Sequence, residues 1–162
     1  MSEILAEELP NTDKRNICAL SGPNLAMEIV NGKPSSTVIA SSNIEMCTKA
    51  QKLLNSKQLR IYTNDDIIGV EIGGALKNII ALAAGICDGR KLGDNAKAAI
   101  TTRGLAEMSR LAQAAGGRAS TIAGLAGIGD LIATCSSSLS RNHIVGERLA
   151  SGESLQSIRG NM

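Results

Sequence analysis

The chain has no Trp, no Phe and a single Tyr, Tyr62. It therefore has no aromatic platform on which successive bases could stack. Its 17 Lys+Arg and 15 Asp+Glu leave a net charge of +2, and they are scattered rather than clustered, so nucleic acid is not expected as a partner. There is one His, and the four cysteines, Cys18, Cys47, Cys87 and Cys135, form no C-x-x-C pair. No metal site is expected from such a set, and each Cys reads as a small buried hydrophobe that needs no disulfide. No uncharged apolar run approaches the roughly 18 residues of a membrane span. Nor does the N-terminus show a basic segment followed by an apolar one. The expected location is the cytoplasm, away from membranes.

What is present is 162 residues, 43% of them apolar, enough for one domain or parts of two. With aromatics missing, the core must come from Ala, Ile, Leu and Gly, which suits closely packed helices. Residues 17–20 and 37–40 are strand-length apolar runs, and residues 58–62 alternate polar and apolar as an edge strand does. Leu25, Ala26, Ile29 and Val30 recur at helical spacing between the first two runs, and residues 43–54 read as a second helix. Strand, helix, strand, helix, strand is the alternation of an α/β sheet. Beyond residue 62 the pattern is helical. Thr63, Asn64, Asp65 and Asp66 can cap a helix with Ile68, Ile72, Leu76, Ile79 and Ile80 on its apolar positions, and Asp94 or Asn95 can cap another that Gly116 and Gly117 end. Ser120 and Thr121 can open a short helix, and Ser140 can cap one that runs to about Gly152. Residues 1–9 look like a helix already under way, and residues 154–158 begin an amphipathic pattern that soon stops. Both ends are expected to be cut from a longer chain.

Three places could carry chemistry. Lys77 is the one ammonium in the run from Gly73 to Leu82. Its stem either lies over apolar surface with the head in water, or the head is desolvated, which brings a lysine toward the range useful for proton transfer. Gly73, Gly74 and Ala75, one turn earlier, would let a backbone or ligand approach closely. Next, Ser140, Arg141 and Asn142 put a fork of donors at a helix start whose free N–H groups already favour anions, and Asp130 is grouped with them. Third, Gly22, Pro23 and Asn24 follow a strand and open a helix, where ligands collect in open α/β sheets. Two nearby features have bland readings: residues 94–97 as a cap plus a solvated Lys97, and His143 as a surface residue. The dinucleotide fingerprint G-x-G-x-x-G is absent from the sequence. Gly127-Ile128-Gly129 lacks the third glycine and reads as a tight turn between helices.

The motifs Ser21-Gly22-Pro23-Asn24-Leu25-Ala26, Gly69-Val70-Glu71-Ile72-Gly73-Gly74-Ala75-Leu76-Lys77-Asn78, Gly93-Asp94-Asn95-Ala96-Lys97-Ala98-Ala99 and Gly127-Ile128-Gly129-Asp130-Leu131, with Thr134-Cys135 and Leu139-Ser140-Arg141-Asn142, occur in one order. In this the chain resembles the bacterial glycerol-3-phosphate dehydrogenase [NAD(P)+] family over essentially its whole length, as about the middle half of a family member. The resemblance implies an α/β remnant of a Rossmann-type NAD(P)-binding domain over residues 1–64. Residues 65–162 would be an incomplete all-helical substrate domain of the 6-phosphogluconate dehydrogenase C-terminal type. It also implies NAD- or NADP-dependent interconversion of dihydroxyacetone phosphate and sn-glycerol 3-phosphate for phospholipid synthesis. Lys77 matches the catalytic general acid/base, and Lys77, Gly22, Asn24, Asp130, Ser140, Arg141 and Asn142 match substrate contacts. Ala26 and Arg141 match cofactor contacts, and no metal is implied. Asn24 stands where many members have Ser, a departure that keeps a hydrogen-bond donor. The family's glycine-rich loop and a further substrate lysine would precede Met1, and a further cofactor-binding acid would follow Met162. Two other readings are a catalytically inactive piece serving only folding or association, and a related dehydrogenase acting on a hydroxy acid. An exposed sheet edge is expected to invite association, a homodimer being the simplest form.

Overall fold

The computed structural model describes residues 1–161; Met162, the last residue assigned above to the helical region, lies outside them. A short helix α1 (Ser2–Glu8) leads to three strands, β1 (Ala19–Ser21), β2 (Ser35–Ala40) and β3 (Leu59–Asn64), with α2 (Ala26–Val30) and α3 (Ile44–Leu54) between them. The strands form one sheet in the order β1-β2-β3, with β2 and β3 parallel. β1 departs from simple α/β alternation, because it pairs antiparallel to β2, Ala19 opposite Ala40 and Ser21 opposite Val38. A parallel crossover needs a helix long enough to carry the chain back along the strand. The five residues of α2 rise only about 7 Å, so the chain turns and returns alongside. The first strand also starts later than its apolar run, and β3 continues through Thr63 and Asn64, two of the residues expected to be capping a helix.

Alternation along β2 builds two small cores. Val38 and Ala40 face Val70 and Ala126, whereas Ile39 faces the other way to Cys47 of α3 and Ile61 of β3. Only Asp65 and Asp66 separate β3 from the next helix, α4 (Ile67–Gly89), whose N-terminus Asp66 caps by accepting the Gly69 N–H at 2.8 Å. Then come α5 (Asp94–Ala114), α6 (Ala119–Ile122), a π-helical turn (Leu125–Gly129), α7 (Asp130–Ser136), α8 (Arg141–Ala150) and α9 (Leu155–Gly160). Asp94 is the first residue of α5 rather than its cap, a place taken by Gly93 at φ +84°. α6 begins at Ala119 behind Arg118, one residue before the expected Ser120.

α4 is the central element. Its Ile80, Ala81 and Ala84 pack with Met108 and Ala112 of α5, Ile122 of α6, and Leu131 and Cys135 of α7. By length and composition α4 could cross a membrane, but it carries Glu71, Lys77 and Asp88 and serves here as the hub of the helical region. The core includes Met108, Val70 and three of the cysteines beside the expected Ala, Ile and Leu. Cys18 differs from the other three in being only half-buried, and all four thiols are free. The 127–129 segment is not a tight turn between helices. It belongs to the π turn, and Gly129 (φ −61°, ψ −48°) runs straight into α7. Contacts with backbone fix this path: a Cβ on Gly127 would strike Ile122 O, and one on Gly73 would lie 2.6 Å from Ala126 O. The π turn therefore sits directly on α4, one helical turn before Lys77.

Candidate active site

Because α7 begins where the π turn leaves α4, its first side chain, Asp130, is carried inward and is 2% exposed. There it meets Lys77, with Nζ 2.5 Å from Asp130 Oδ2 and 17% of the lysine side chain exposed. The ammonium therefore neither snorkels freely into water nor stands alone in an apolar site; it is held by a buried carboxylate. Asp130 is fixed in turn by the Thr134 hydroxyl, 2.7 Å from Asp130 O and 3.3 Å from its Oδ1, and by the Ser21 hydroxyl, 3.4 Å from Oδ2. Burial pushes the Asp130 carboxyl above its ordinary range, while Lys77, Thr134 and Ser21 pull it down.

A cleft of about 420 Å³ opens over this pair. Asn24, Ala26, Lys77, Asp130, Ser140, Arg141 and Asn142 all line it, drawn from four separate stretches of sequence. Gly22 does not. It sits behind the wall at φ +148°, where a Cβ would lie 2.9 Å from Thr37 Oγ1, so it shapes the turn that presents Asn24 and Ala26. Ser140, also in the lining, caps α8, accepting the His143 N–H at 3.3 Å. Arg141 is exposed and makes no ion pair among the described residues. The cleft thus combines a lysine ordered by a buried carboxylate with a guanidinium, an amide and a helix start suited to an oxyanion.

Several residues gain a place that sequence reasoning did not give them. Asn78 lines the cleft and accepts from Asn142 Nδ2 at 2.8 Å, tying α8 to α4. Its position beside Lys77, in a run from Gly73 to Leu82 with no other charge, was the available signal. Thr134 lies four residues after Asp130, the helical spacing at which a hydroxyl can reach both the carbonyl and the carboxylate. His143 is not a surface residue: it is buried, with Nε2 2.8 Å from Asp88 Oδ2. Lys97 is not simply solvated either, since its ammonium lies 3.0 Å from both Asp88 oxygens. No group of three or more potential metal ligands occurs among the described residues.

Comparison with known proteins gives concordant matches. Residues 66–162 match the family model described as NAD-dependent glycerol-3-phosphate dehydrogenase C-terminus, and residues 1–47 match the corresponding N-terminus model. A glycerol-3-phosphate dehydrogenase [NAD(P)+] of Dehalococcoides mccartyi is 56% identical over all 162 residues, which cover 45% of that protein. One of Chlorobium limicola is 52% identical, with all of this chain matched to 49% of it. Among solved structures, glycerol-3-phosphate dehydrogenase from Coxiella burnetii superposes with a TM-score of 0.87 at 44% identity, over 89% of this chain and 44% of that one. The enzyme from Saccharomyces cerevisiae gives 0.82 at 30% identity, over 99% and 48%. The chain spans about half the length of the curated relatives it matches.

Proposed function

Since the chain belongs to the NAD-dependent glycerol-3-phosphate dehydrogenase family, we propose that it provides the substrate-binding and proton-transfer half of an NAD(P)-dependent sn-glycerol-3-phosphate dehydrogenase. The observation that carries this reading is that the Lys77–Asp130 pair and the Ser140–Asn142 turn line one cleft. Dihydroxyacetone phosphate has a ketone and a phosphate separated by one carbon, so it needs a proton donor and an anion cradle facing each other at short range.

In ketone reduction Lys77, positioned by Asp130, gives a proton to the C2 oxygen as charge develops there. In alcohol oxidation it takes that proton back. Asp130 stays buried as the counter-charge and orients Nζ, while Thr134 and Ser21 hold the carboxylate. Arg141 grips the phosphate, and Ser140, Asn142 and the first turn of α8 add neutral donors. Gly22 positions Asn24, whose side chain reaches the substrate from the strand side. The residues present fit the nicotinamide end of a dinucleotide: Ala26 is small and exposed, and Arg141 supplies a cation in the lining of the same cleft. When bound, the nicotinamide supplies or accepts the hydride at C2. The pyrophosphate cradle needs a glycine-rich strand–turn–helix that this sequence does not contain.

The phosphate triplet favours this substrate class over an unphosphorylated hydroxy acid. Cytoplasmic location, a role in phospholipid synthesis and a homodimer belong to the same reading, the first being supported by four free thiols. Calorimetric titration with glycerol 3-phosphate, inorganic phosphate and glycerol tests the proposal. The phosphorylated ligands should bind in the millimolar range or tighter, glycerol should not, and Arg141→Ala should abolish the difference. Equal behaviour of glycerol and glycerol 3-phosphate would refute it.

A further inference from the structure

Outside the cleft, one cluster of charged side chains is left unexplained by the chemistry. Asp88, at the end of α4, is approached by Lys97 from the first turn of α5 and by His143 from the first turn of α8. Burial would raise the Asp88 carboxyl, but hydrogen bonds from Lys97 and His143 outweigh it and keep Asp88 below the usual carboxylate range. An ionised Asp88 can only accept, so His143 Nε2 carries the hydrogen of that bond. His143 Nδ1 is buried and has no partner among the described residues. Asp88 is thus the group that orients the ring.

This matters because His143 directly follows Arg141 and Asn142. The helix it belongs to lies against α4 with almost no side chain between the two backbones. A Cβ on Gly85 would collide with His143 O, one on Gly146 would collide with Leu82 O, and one on Gly89 would lie 2.6 Å from Glu147 O. Such a contact is close but smooth, and glycine surfaces by themselves do little to stop a helix from sliding or rolling. Two polar links cross it near the start of α8: Asn142 to Asn78, one residue beyond Lys77, and His143 to Asp88, about 15 Å farther along α4. Together they fix both the height and the rotation of the turn that faces Lys77.

We propose that Asp88, His143 and Lys97 are positioning residues which set the register of the α8 first turn on α4, and so the distance between the phosphate donors and the Lys77 ammonium. None of the three lines the cleft, and they act through the backbone of Arg141 and Asn142. The inference rests on the substrate reading above. It adds that affinity for the phosphorylated ligand depends on a carboxylate outside the site.

The test uses the 162-residue chain, amide hydrogen exchange and calorimetric titration with glycerol 3-phosphate. In Asp88→Asn and His143→Ala, exchange in the first turn of α8 should rise about tenfold or more as local opening becomes easier. The dissociation constant should rise by about tenfold to a hundredfold, the usual cost of small misplacement. His143→Gln, whose amide can still reach Asp88, should restore both toward wild type, which a simple loss of packing would not do. Lys97→Met leaves the His143 bond in place. It is the milder variant should Asp88→Asn fail to fold, and it should move both readouts the same way by a smaller factor. Unchanged exchange and affinity in these variants, in a chain whose binding Arg141→Ala removes, would overturn the proposal. Failure of the substrate reading looks different: Arg141→Ala would then leave ligand binding untouched while Asp88→Asn still loosened α8.

Discussion

Replacing Lys77 by Met leaves a shape of similar length but removes the cation opposite a carboxylate that is 2% exposed. Breaking a buried ion pair by deleting one partner typically costs about 3–5 kcal/mol. The lower end applies here, about 3 kcal/mol, because the lysine keeps 17% of its side-chain exposure and the cleft admits water. For a chain of this size that lowers Tm by about 6–12 °C. The loss should depend on pH in a definite direction. Burial already holds the Asp130 carboxyl above its ordinary value in the folded chain, with Lys77 opposing the rise. A carboxyl raised on folding stabilises the native state in acid and loses that contribution as pH climbs through its folded value. Without Lys77 the rise is larger, so the gap between variant and wild type should be small near pH 4, where Asp130 can be neutral, and full at pH 7 to 8. Urea unfolding at both pH values measures it, and Lys77→Met/Asp130→Asn should recover more than half of the loss at pH 7. A single variant as stable as wild type at pH 7, or a deficit independent of pH, would refute a buried, Lys77-compensated carboxylate.

If the proposed dehydrogenase activity is that of the whole protein, the same Lys77→Met change there should lower kcat by about 10²- to 10⁴-fold, far more than it raises KM, and steady-state kinetics with an unaltered kcat would remove Lys77 from proton transfer. Gly146→Ala should destabilise the chain by about 3 kcal/mol in urea unfolding, because its methyl group would meet the backbone of Leu82. A cost near zero would mean that α4 and α8 are not in backbone contact. Ser140→Ala should cost about 1 kcal/mol through the lost cap, and it should weaken glycerol 3-phosphate binding in the same titration. NADH should give no saturable heat with the 162-residue chain, which carries no glycine-rich loop for the pyrophosphate.

The sequence by itself determined the local structure and the chemical vocabulary. Asn43, Asp66, Ser140 and Ser154 cap helices by direct side-chain bonds, a signal that depends on a few adjacent residues. Of the apolar spacing from Ile68 to Ile80, Ile72, Leu76 and Ile80 do pack into the core, whereas Ile68 and Ile79 are exposed; the ordered motifs around Lys77 and Ser140 pointed to the family. Tertiary structure decided what those residues touch. That β1 runs antiparallel depends on the length of α2 against the length of β2, a comparison no single motif contains. That Lys77 answers to Asp130 depends on a π turn laid against Gly73, so that a residue far along the chain arrives beneath the ammonium. His143 and Lys97 read as solvent-facing from their neighbours and prove to be partners of Asp88, because two helix starts converge on one helix end. Caps and periodicity are short-range and survive in the sequence; ion pairs across helices rest on backbone approach distances, which glycines permit but only the packed fold sets.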